Sequence, residues 1–392
     1  MNKEVIMLLD NSYDPDPRVE KSINALIEHG FIVTLLAKKN SNKKEFEGWN
    51  NFSIQRIFDD SIEKYYKLNP ETTLNKIINI IQEKNTKIIF ANDFICLHFA
   101  CLLKKKIPDI KIFYDAHEYI QGWYFYQLEI ELMKKIKGKI IHSIYSHNER
   151  KDLKQVNAIS TVSQGIADLY KKIKGDIPIG VLRNVPNLKN IDSTAVSDYK
   201  KNLNLPEDKI IITHCGAWYY PNNHISWILE LILELSSKMN LHFLFILQDS
   251  DLRKLEQFEQ FEKAKKHISI HGFVPYTNLI NLLNTSDIGL ILNYKPNWPS
   301  HWNSLPNRIF DYIHAGLAIL STPQPEFKSI LEKNNNGQTF LILNKEDFKN
   351  KLTFVIDNLN ELKSNSIKAK DKNCWAVEKH TLIELIDKMI DE

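Results

Sequence analysis

The feature that most constrains this chain is a repeated unit: a short unbroken apolar run, then a polar loop, then an amphipathic helix. The first run is Val5-Ile6-Met7-Leu8-Leu9. A strand apolar on both faces belongs where helices cover both faces, in a parallel sheet. The segment after it places Val19, Ile23, Leu26 and Ile27 on one helical face and stops at Gly30, and residues 31–37 begin the next strand. That is a βαβ unit. Runs at 88–91, 112–114, 158–162 and 180–182 continue the series. After Asn187 the composition turns polar through about Asp208, and a second series starts at 210–212, 241–247, 268–270 and 288–292. At 392 residues the chain exceeds one ordinary core. The expectation is an α/β protein with two Rossmann-like domains facing a cleft, the first ending near residue 187. The polar segment 40–51 reads as a loop and 188–208 as an inter-domain linker. Ligands of such sheets bind beyond the C-terminal ends of the strands.

Charge and cysteine usage narrow the function. With 51 basic and 48 acidic residues the net charge is +3, which is no nucleic-acid signature. Cys96, Cys101, Cys215 and Cys374 complete no zinc pattern and read as buried thiols of a reducing compartment. The opening run is too short for a secretory core, and no run reaches the length of a membrane span. The expectation is therefore a cytoplasmic protein. One region leaves two readings open. Trp123-Tyr124-Phe125-Tyr126 precedes Lys134, Lys135, Lys137, Lys139, Arg150, Lys151 and Lys154. Either this is a solvated helix whose aromatics pack inward, the favoured reading, or it touches the inner face of a membrane peripherally.

The candidate chemistry sits at strand ends. Tyr114-Asp115-Ala116-His117-Glu118 puts a His and a carboxylate directly after a buried run, placed to hold a substrate or carry a proton. Asp93 follows another run and either binds hydroxyls or caps the next helix. Residues 300–321 read as a polar loop, a helix and a strand. Ser304 or Asn303 caps the helix, Pro306 lies in its first turn, Ile309, Phe310 and Ile313 face inward, and Gly316 ends it. Its N-terminus suits an anion, Arg308 can pair with a phosphate and Asp311 with a ribose diol. Gly216, after the 210–212 run, permits close backbone approach to a phosphate. Asp14-x-Asp16 and Asp249-x-Asp251 are weak as metal pairs; the first reads better as a helix-initiating turn. Neither G-x-G-x-x-G nor G-x-x-x-x-G-K occurs, which argues against dinucleotide oxidoreductases and P-loop NTPases.

Taken in order, several segments resemble GT-B fold glycosyltransferases, in the large retaining family that includes bacterial polysaccharide and lipopolysaccharide transferases. They are Asp16-Pro17-Arg18-Val19, Tyr114-Asp115-Ala116-His117-Glu118, Asn184-Val185-Pro186-Asn187, His271-Gly272-Phe273-Val274, and Leu305-Pro306-Asn307-Arg308-Ile309-Phe310-Asp311-Tyr312 with Ala315-Gly316. Trp375 and Glu378 resemble the family's last helix, which crosses back to the N-terminal domain. The chain departs from the family in two places. Where members usually carry two glutamates seven residues apart, it has Asn303 and Asp311. Around 216–227, where they carry a basic pair, it has no Arg or Lys.

The resemblance implies an acceptor-binding domain at 1–187, a donor-binding domain at 188–372 and a returning helix at 373–392. It implies transfer of a sugar from a nucleotide-sugar donor to a hydroxyl of a glycan, lipid-linked or protein-linked acceptor, with retention. The donor is a co-substrate; no cofactor or metal is implied. The donor residues implied are Gly216, Phe273, Val274, Asn303, Ser304, Asn307, Arg308 and Asp311. His117, Glu118 and Asp311 are implied in catalysis, and Asp14, Asp93 and Tyr119 in acceptor binding. Two alternatives stay open at this point: a nucleotide-sugar 2-epimerase, and a non-catalytic sugar- or nucleotide-binding partner subunit.

Overall fold

The structure, a computed structural model, describes residues 3–13, 16–59, 71–128, 131–216, 222–293 and 295–391. It divides into two compact units. The first comprises Met1–Asn184, Pro296–Ser304 and Val377–Glu392; the second comprises Val185–Lys295 and Leu305–Ala376.

The first unit is built on eight strands: β1 (Glu4–Leu8), β2 (Ile32–Lys38), β3 (Phe46–Trp49), β4 (Phe52–Phe58), β5 (Ile88–Asn92), β6 (Lys111–Ala116), β7 (Ala158–Thr161) and β8 (Ile179–Val181). Their order is β3-β4-β2-β1-β5-β6-β7-β8, and every pairing is parallel except β3 with β4. All five residues of β5 are buried, as a central strand covered on both faces requires. The sequence reverses direction across the sheet between β1 and β5. The ends of those two strands, at Leu9 and Asp93, therefore flank the switch point where such sheets bind ligands.

The second unit has six strands: β9 (Ile210–Cys215), β10 (Leu241–Ile246), β11 (Ile268–His271), β12 (Ile288–Ile291), β13 (Ala318–Ser321) and β14 (Gly337–Thr339). They run β11-β10-β9-β12-β13-β14, all parallel. In units of sequence order this is 3-2-1-4-5-6, the doubly wound arrangement of nucleotide-binding sheets. Its switch point lies between β9 and β12. Ile212, Phe243, Phe245, Ile288, Leu290 and Leu320 form the strand side of one core cluster, and Ile225, Ile228, Leu229 and Ile232 from the helix Asn222–Ser236 lie against them.

Three local expectations fail, each for a physical reason. Segment 40–51, expected as a loop, contains β3, which forms an antiparallel hairpin with β4. The alternation in β4 buries Phe52, Ile54, Arg56 and Phe58, and the charged Arg56 hides that period in the sequence. Arg56 is tolerated there because its guanidinium donates to Lys44 O at 2.6 Å and to Glu47 Oε1 at 2.5 Å. The polar stretch read as a linker contains a helix, Ser193–Asn202. The Asp192 carboxylate caps it by accepting from Thr194 N and Ala195 N, although none of its residues is buried. Lastly, the helix expected to start at Asn303 or Ser304 starts at Arg308, and a separate turn, Pro299–Trp302, precedes it.

Residues 296–304, although far from the N-terminus in sequence, count with the first unit. The helix Trp375–Asp391 has all but its first two residues in that unit. There Glu378 receives the Arg183 backbone N–H at 2.8 Å and its Nε at 2.6 Å, and Lys111 Nζ donates to the carbonyl of Met389 at 2.8 Å.

Candidate active site

In the first unit the site grows from the end of β6. Asp115 is fully buried there. A lone buried carboxylate is costly, and this one is surrounded by donors. Arg18 approaches in a two-pronged pair, Nε to Oδ2 at 3.0 Å and Nη2 to Oδ1 at 2.6 Å. Ser160 Oγ donates to Oδ1 at 2.7 Å, and His117 Nε2 to Oδ2 at 3.0 Å. Burial opposes ionisation of Asp115, but Arg18 and His117 outweigh it and hold the carboxyl well below its usual range. His117 takes the reciprocal effect. Burial works against its charged form and Arg18 repels it, yet the Asp115 carboxylate raises its pKa above 6.5. Asp115 thus fixes one ring nitrogen as a donor and favours the imidazolium. Arg18, in the first turn of the helix Pro17–Glu28, was matched in sequence only as part of a motif; its structural role is to neutralise Asp115.

Glu118, one residue on, accepts from Ser300 Oγ at 3.0 Å, and Ser300 in turn accepts from Tyr119 N at 3.2 Å. Burial raises the Glu118 pKa, the Ser300 hydroxyl opposing it. The short turn Pro299–Trp302 is therefore a brace for the loop after β6. It fits closely: a methyl group on Gly122 would come within 2.7 Å of Pro299 Cβ and of Ser300 N. Trp298 Nε1 adds a bond to Gln127 Oε1 at 2.7 Å. Ser300 was not singled out in the sequence, and a lone serine in a polar loop gives no signal that could have found it.

Asp93 stands at the first position of the helix Asp93–Lys106 in a left-handed conformation, φ +65°, with its own Oδ1 accepting from Phe94 N at 2.9 Å. A non-glycine residue in that region is strained, and strain of this kind concentrates at functional sites. Tyr119, expected on an acceptor surface, is instead buried, its ring edge-on to Tyr170 with centroids 5.3 Å apart. Asp14 lies outside the described residues. Asp16 is the helix cap, accepting from Arg18 N at 3.1 Å and Val19 N at 3.3 Å.

Asn303 and Ser304 were expected to cap the next helix. They close the preceding turn instead: Asn303 Nδ2 donates to Pro299 O at 2.7 Å, and Ser304 Oγ to His301 O at 2.9 Å. Asn303 O accepts from Ser163 Oγ at 2.5 Å. Both residues count with the first unit, whereas Arg308 and Asp311 belong to the second.

In the second unit the site lies at the end of β9. Gly216 follows that strand with φ +104°, and a methyl group there would sit 2.8 Å from Arg308 Nη2. The backbone conformation there strains any side chain, and the guanidinium lies directly over the bare backbone. Arg308 Nη1 is 3.5 Å from His214 Nε2. His214 is fully buried and donates from Nδ1 to Leu290 O at 3.1 Å, which leaves Nε2 as an acceptor facing the arginine. Burial and then Arg308 push the His214 pKa down to about 3, so the ring stays neutral and adds no charge beside the arginine.

One turn further, Asp311 is buried and accepts from Tyr276 Oη at 3.1 Å. It is a helix residue tied to its neighbours, not a loop-facing one. Asn307 is the exposed N-terminal neighbour of this helix and makes no side-chain cap bond. Tyr312 locks the helix to the sheet: its hydroxyl accepts from Cys215 N at 3.0 Å and lies 3.2 Å from Leu290 O, and its ring covers Gly289. Beyond β11, Phe273 is highly exposed while Val274 is buried. Tyr276 and His214 were missed as members of this cluster. A Tyr at a helix start and a His inside an apolar run look structural until the fold brings them to Arg308 and Asp311.

Comparison with known proteins places these features. Residues 209–358 match the family described as glycosyl transferases group 1. No curated protein sequence matches the chain at a significant level. Solved structures match over nearly the whole length. Sucrose-phosphate synthase from Thermosynechococcus elongatus superposes with a TM-score of 0.75 at 12% identity, covering 99% of each chain. HepE from Anabaena, in complex with UDP and glucose, gives 0.69 at 11%, covering 98% of this chain and 99% of its own. The catalytic domain of starch synthase IV from Arabidopsis thaliana, bound to ADP and acarbose, gives 0.69 at 12% over 100% of both.

Proposed function

We propose that the chain, which shares the GT-B fold with solved glycosyltransferases and matches the glycosyl transferases group 1 family over residues 209–358, is itself a glycosyltransferase whose second unit binds a nucleoside diphosphate sugar whose sugar passes to an acceptor hydroxyl with retention. The bond that breaks joins the anomeric carbon to the diphosphate; the bond that forms joins the same carbon to the acceptor oxygen. The acceptor proton leaves with the diphosphate. The acceptor is a glycan or a lipid- or protein-linked sugar. No step is assigned to a metal.

One observation carries this reading. At the switch-point end of β9, a glycine in a backbone conformation that strains other residues lies under the Arg308 guanidinium. That pairing suits a diphosphate: the bare backbone allows close approach, and the planar cation offers paired donors to phosphate oxygens. Stabilising the leaving diphosphate is the largest service such a site can render. Asp311, oriented by Tyr276, is the candidate for the ribose diol, and Phe273 with Val274 for the base. His117 is the candidate proton carrier, with Glu118 after the same strand end and Asp93 after the end of the neighbouring β5 as candidate binders of hydroxyls. HepE with UDP and starch synthase IV with ADP support a nucleoside diphosphate donor by likeness.

The test is a panel of nucleoside diphosphate sugars with glycan acceptors, scored for released nucleotide and coupled product. Acceptor-dependent nucleotide release with the α or β configuration of the donor kept is the expected result. Conversion of the donor to an epimer without acceptor, or no release with any donor, overturns the proposal.

A further inference from the structure

The helix Leu132–Asp152 packs against the first unit with one side only. Tyr126 seats against Gly138, where a methyl group would lie 2.7 Å from its Cβ, and the rings of Tyr124 and Tyr126 lie 5.2 and 5.7 Å from that of His142. Farther along, Glu149 and Asp152 are buried. Tyr124 and Tyr126 thus pack on the helix while Trp123 stays exposed, and the helix leaves apolar residues of its own outside. Met133, Ile136, Ile140 and Ile144 are between 46% and 75% exposed. At 100° per residue they fall within an arc of roughly 80° on the side opposite Gly138 and Glu149. Leu132, also exposed, extends the stripe at its start.

An exposed stripe of this kind on an otherwise folded helix marks a contact surface. Its charge pattern selects the contact. From Leu132 to Asn148 the helix carries Lys134, Lys135, Lys137 and Lys139 and no carboxylate. Lys137 and Lys139 flank the stripe on either side. A protein partner matched to this strip would need an apolar ridge edged by acids; an anionic lipid surface offers apolar depth and negative headgroups together. The length and composition fit a helix lying in the interfacial plane. No helix among the described residues is long and apolar enough to cross a membrane, and this surface does not require one.

We propose that Met133, Ile136, Ile140 and Ile144, flanked by Lys137 and Lys139, dock the first unit on an anionic lipid bilayer. The site is independent of the donor reading. Its helix also reaches the loop after β6, because Glu149 Oε2 accepts from Gln121 Nε2 at 3.1 Å and Arg150 Nε donates to Gln121 Oε1 at 2.6 Å. Docking therefore anchors the element on which that loop rests.

The experiment is sedimentation of the full chain with vesicles of phosphatidylcholine alone or mixed with phosphatidylglycerol. Binding to the mixed vesicles that weakens with salt is expected. The triple variant Ile136→Ser, Ile140→Ser, Ile144→Ser, and separately the double variant Lys137→Glu, Lys139→Glu, should each lower it by at least about tenfold. Both keep the wild-type melting temperature, since the side chains are exposed. The proposal fails if the chain stays in the supernatant with anionic vesicles at low salt. It fails equally if the isoleucine variant binds like wild type. A wild-type dimer that the isoleucine variant converts to monomer would assign the stripe to a second copy of the chain instead.

Discussion

Asp115 favours the protonated ring of His117 by giving its proton a partner, and Asp115 stays ionised because Arg18 and His117 outweigh the cost of burial. The sign follows from linkage. A histidine whose folded pKa is raised gains stability from its partner below the unfolded value, and loses it as pH rises through the folded value. The His117 ring, followed by NMR in the full chain, should titrate with a midpoint above 6.5, and the rate should fall on the alkaline side as that proton leaves. A midpoint at or below 6.5 would show that Asp115 does not govern the ring. At the same scale lies the least legible part of the site. His117, Glu118, Arg308 and Asp311 could be named from the sequence because each sits beside a strand end or a helix start. Tyr276 and His214 also stand at a helix start and near a strand end, but nothing there shows that the fold sets them on Asp311 and Arg308, 35 and 94 residues away, and Ser300 reaches Glu118 across 182 residues.

At the scale of elements, the loop after β6 is held from below by a buried carboxyl. Glu149 accepts from Tyr170 Oη at 2.7 Å and Tyr114 Oη at 3.1 Å as well as from Gln121, yet burial outweighs these donors and pushes its pKa up to about 7. The folded state then binds a proton that the unfolded chain has already lost, so stability falls as pH rises from about 4.5 to about 7. The loss is of order 3 kcal/mol for a fully buried group. Chemical denaturation across that range should show the slope, and Glu149→Gln should flatten it; a parallel slope in the variant would acquit Glu149. A second element-scale prediction concerns the helix Arg308–His314. A methyl on Gly289 would lie 2.3 Å from the Tyr312 ring. Gly289→Ala should therefore cost about 1–3 kcal/mol of stability by overpacking, visible as a lowered melting temperature, and an unchanged melting curve would mean the ring moves freely. Elements with a strong period were readable in advance: β1, β5, β10 and the helix Asp93–Lys106 fall where the apolar runs put them. The period of β4 was hidden by Arg56, and the helix Ser193–Asn202 by its lack of any buried residue.

Across the whole molecule, alternation of strand and helix was enough to foresee two parallel sheets, because only that architecture buries continuous apolar runs on both faces. The course of the chain was less legible. Composition marks the change near residue 187, while the compact units divide after Asn184, and nothing in a polar loop tells that Pro296–Ser304 will join the first unit. That excursion matters, since it separates Asn303 from Arg308, five residues apart, and gives them different work. Asn303 braces a turn; Arg308 lies over Gly216. The claim on which the account rests is that this second pairing is a diphosphate site. Titration calorimetry of the wild type and Arg308→Ala with UDP, ADP and GDP and the matching monophosphates tests it most directly. The wild type should bind at least one diphosphate more tightly than its monophosphate, and Arg308→Ala should weaken that binding roughly ten- to hundredfold, the loss of a charged hydrogen-bonding group. Equal affinity of the variant and the wild type for every nucleotide, or no binding by either, would contradict it.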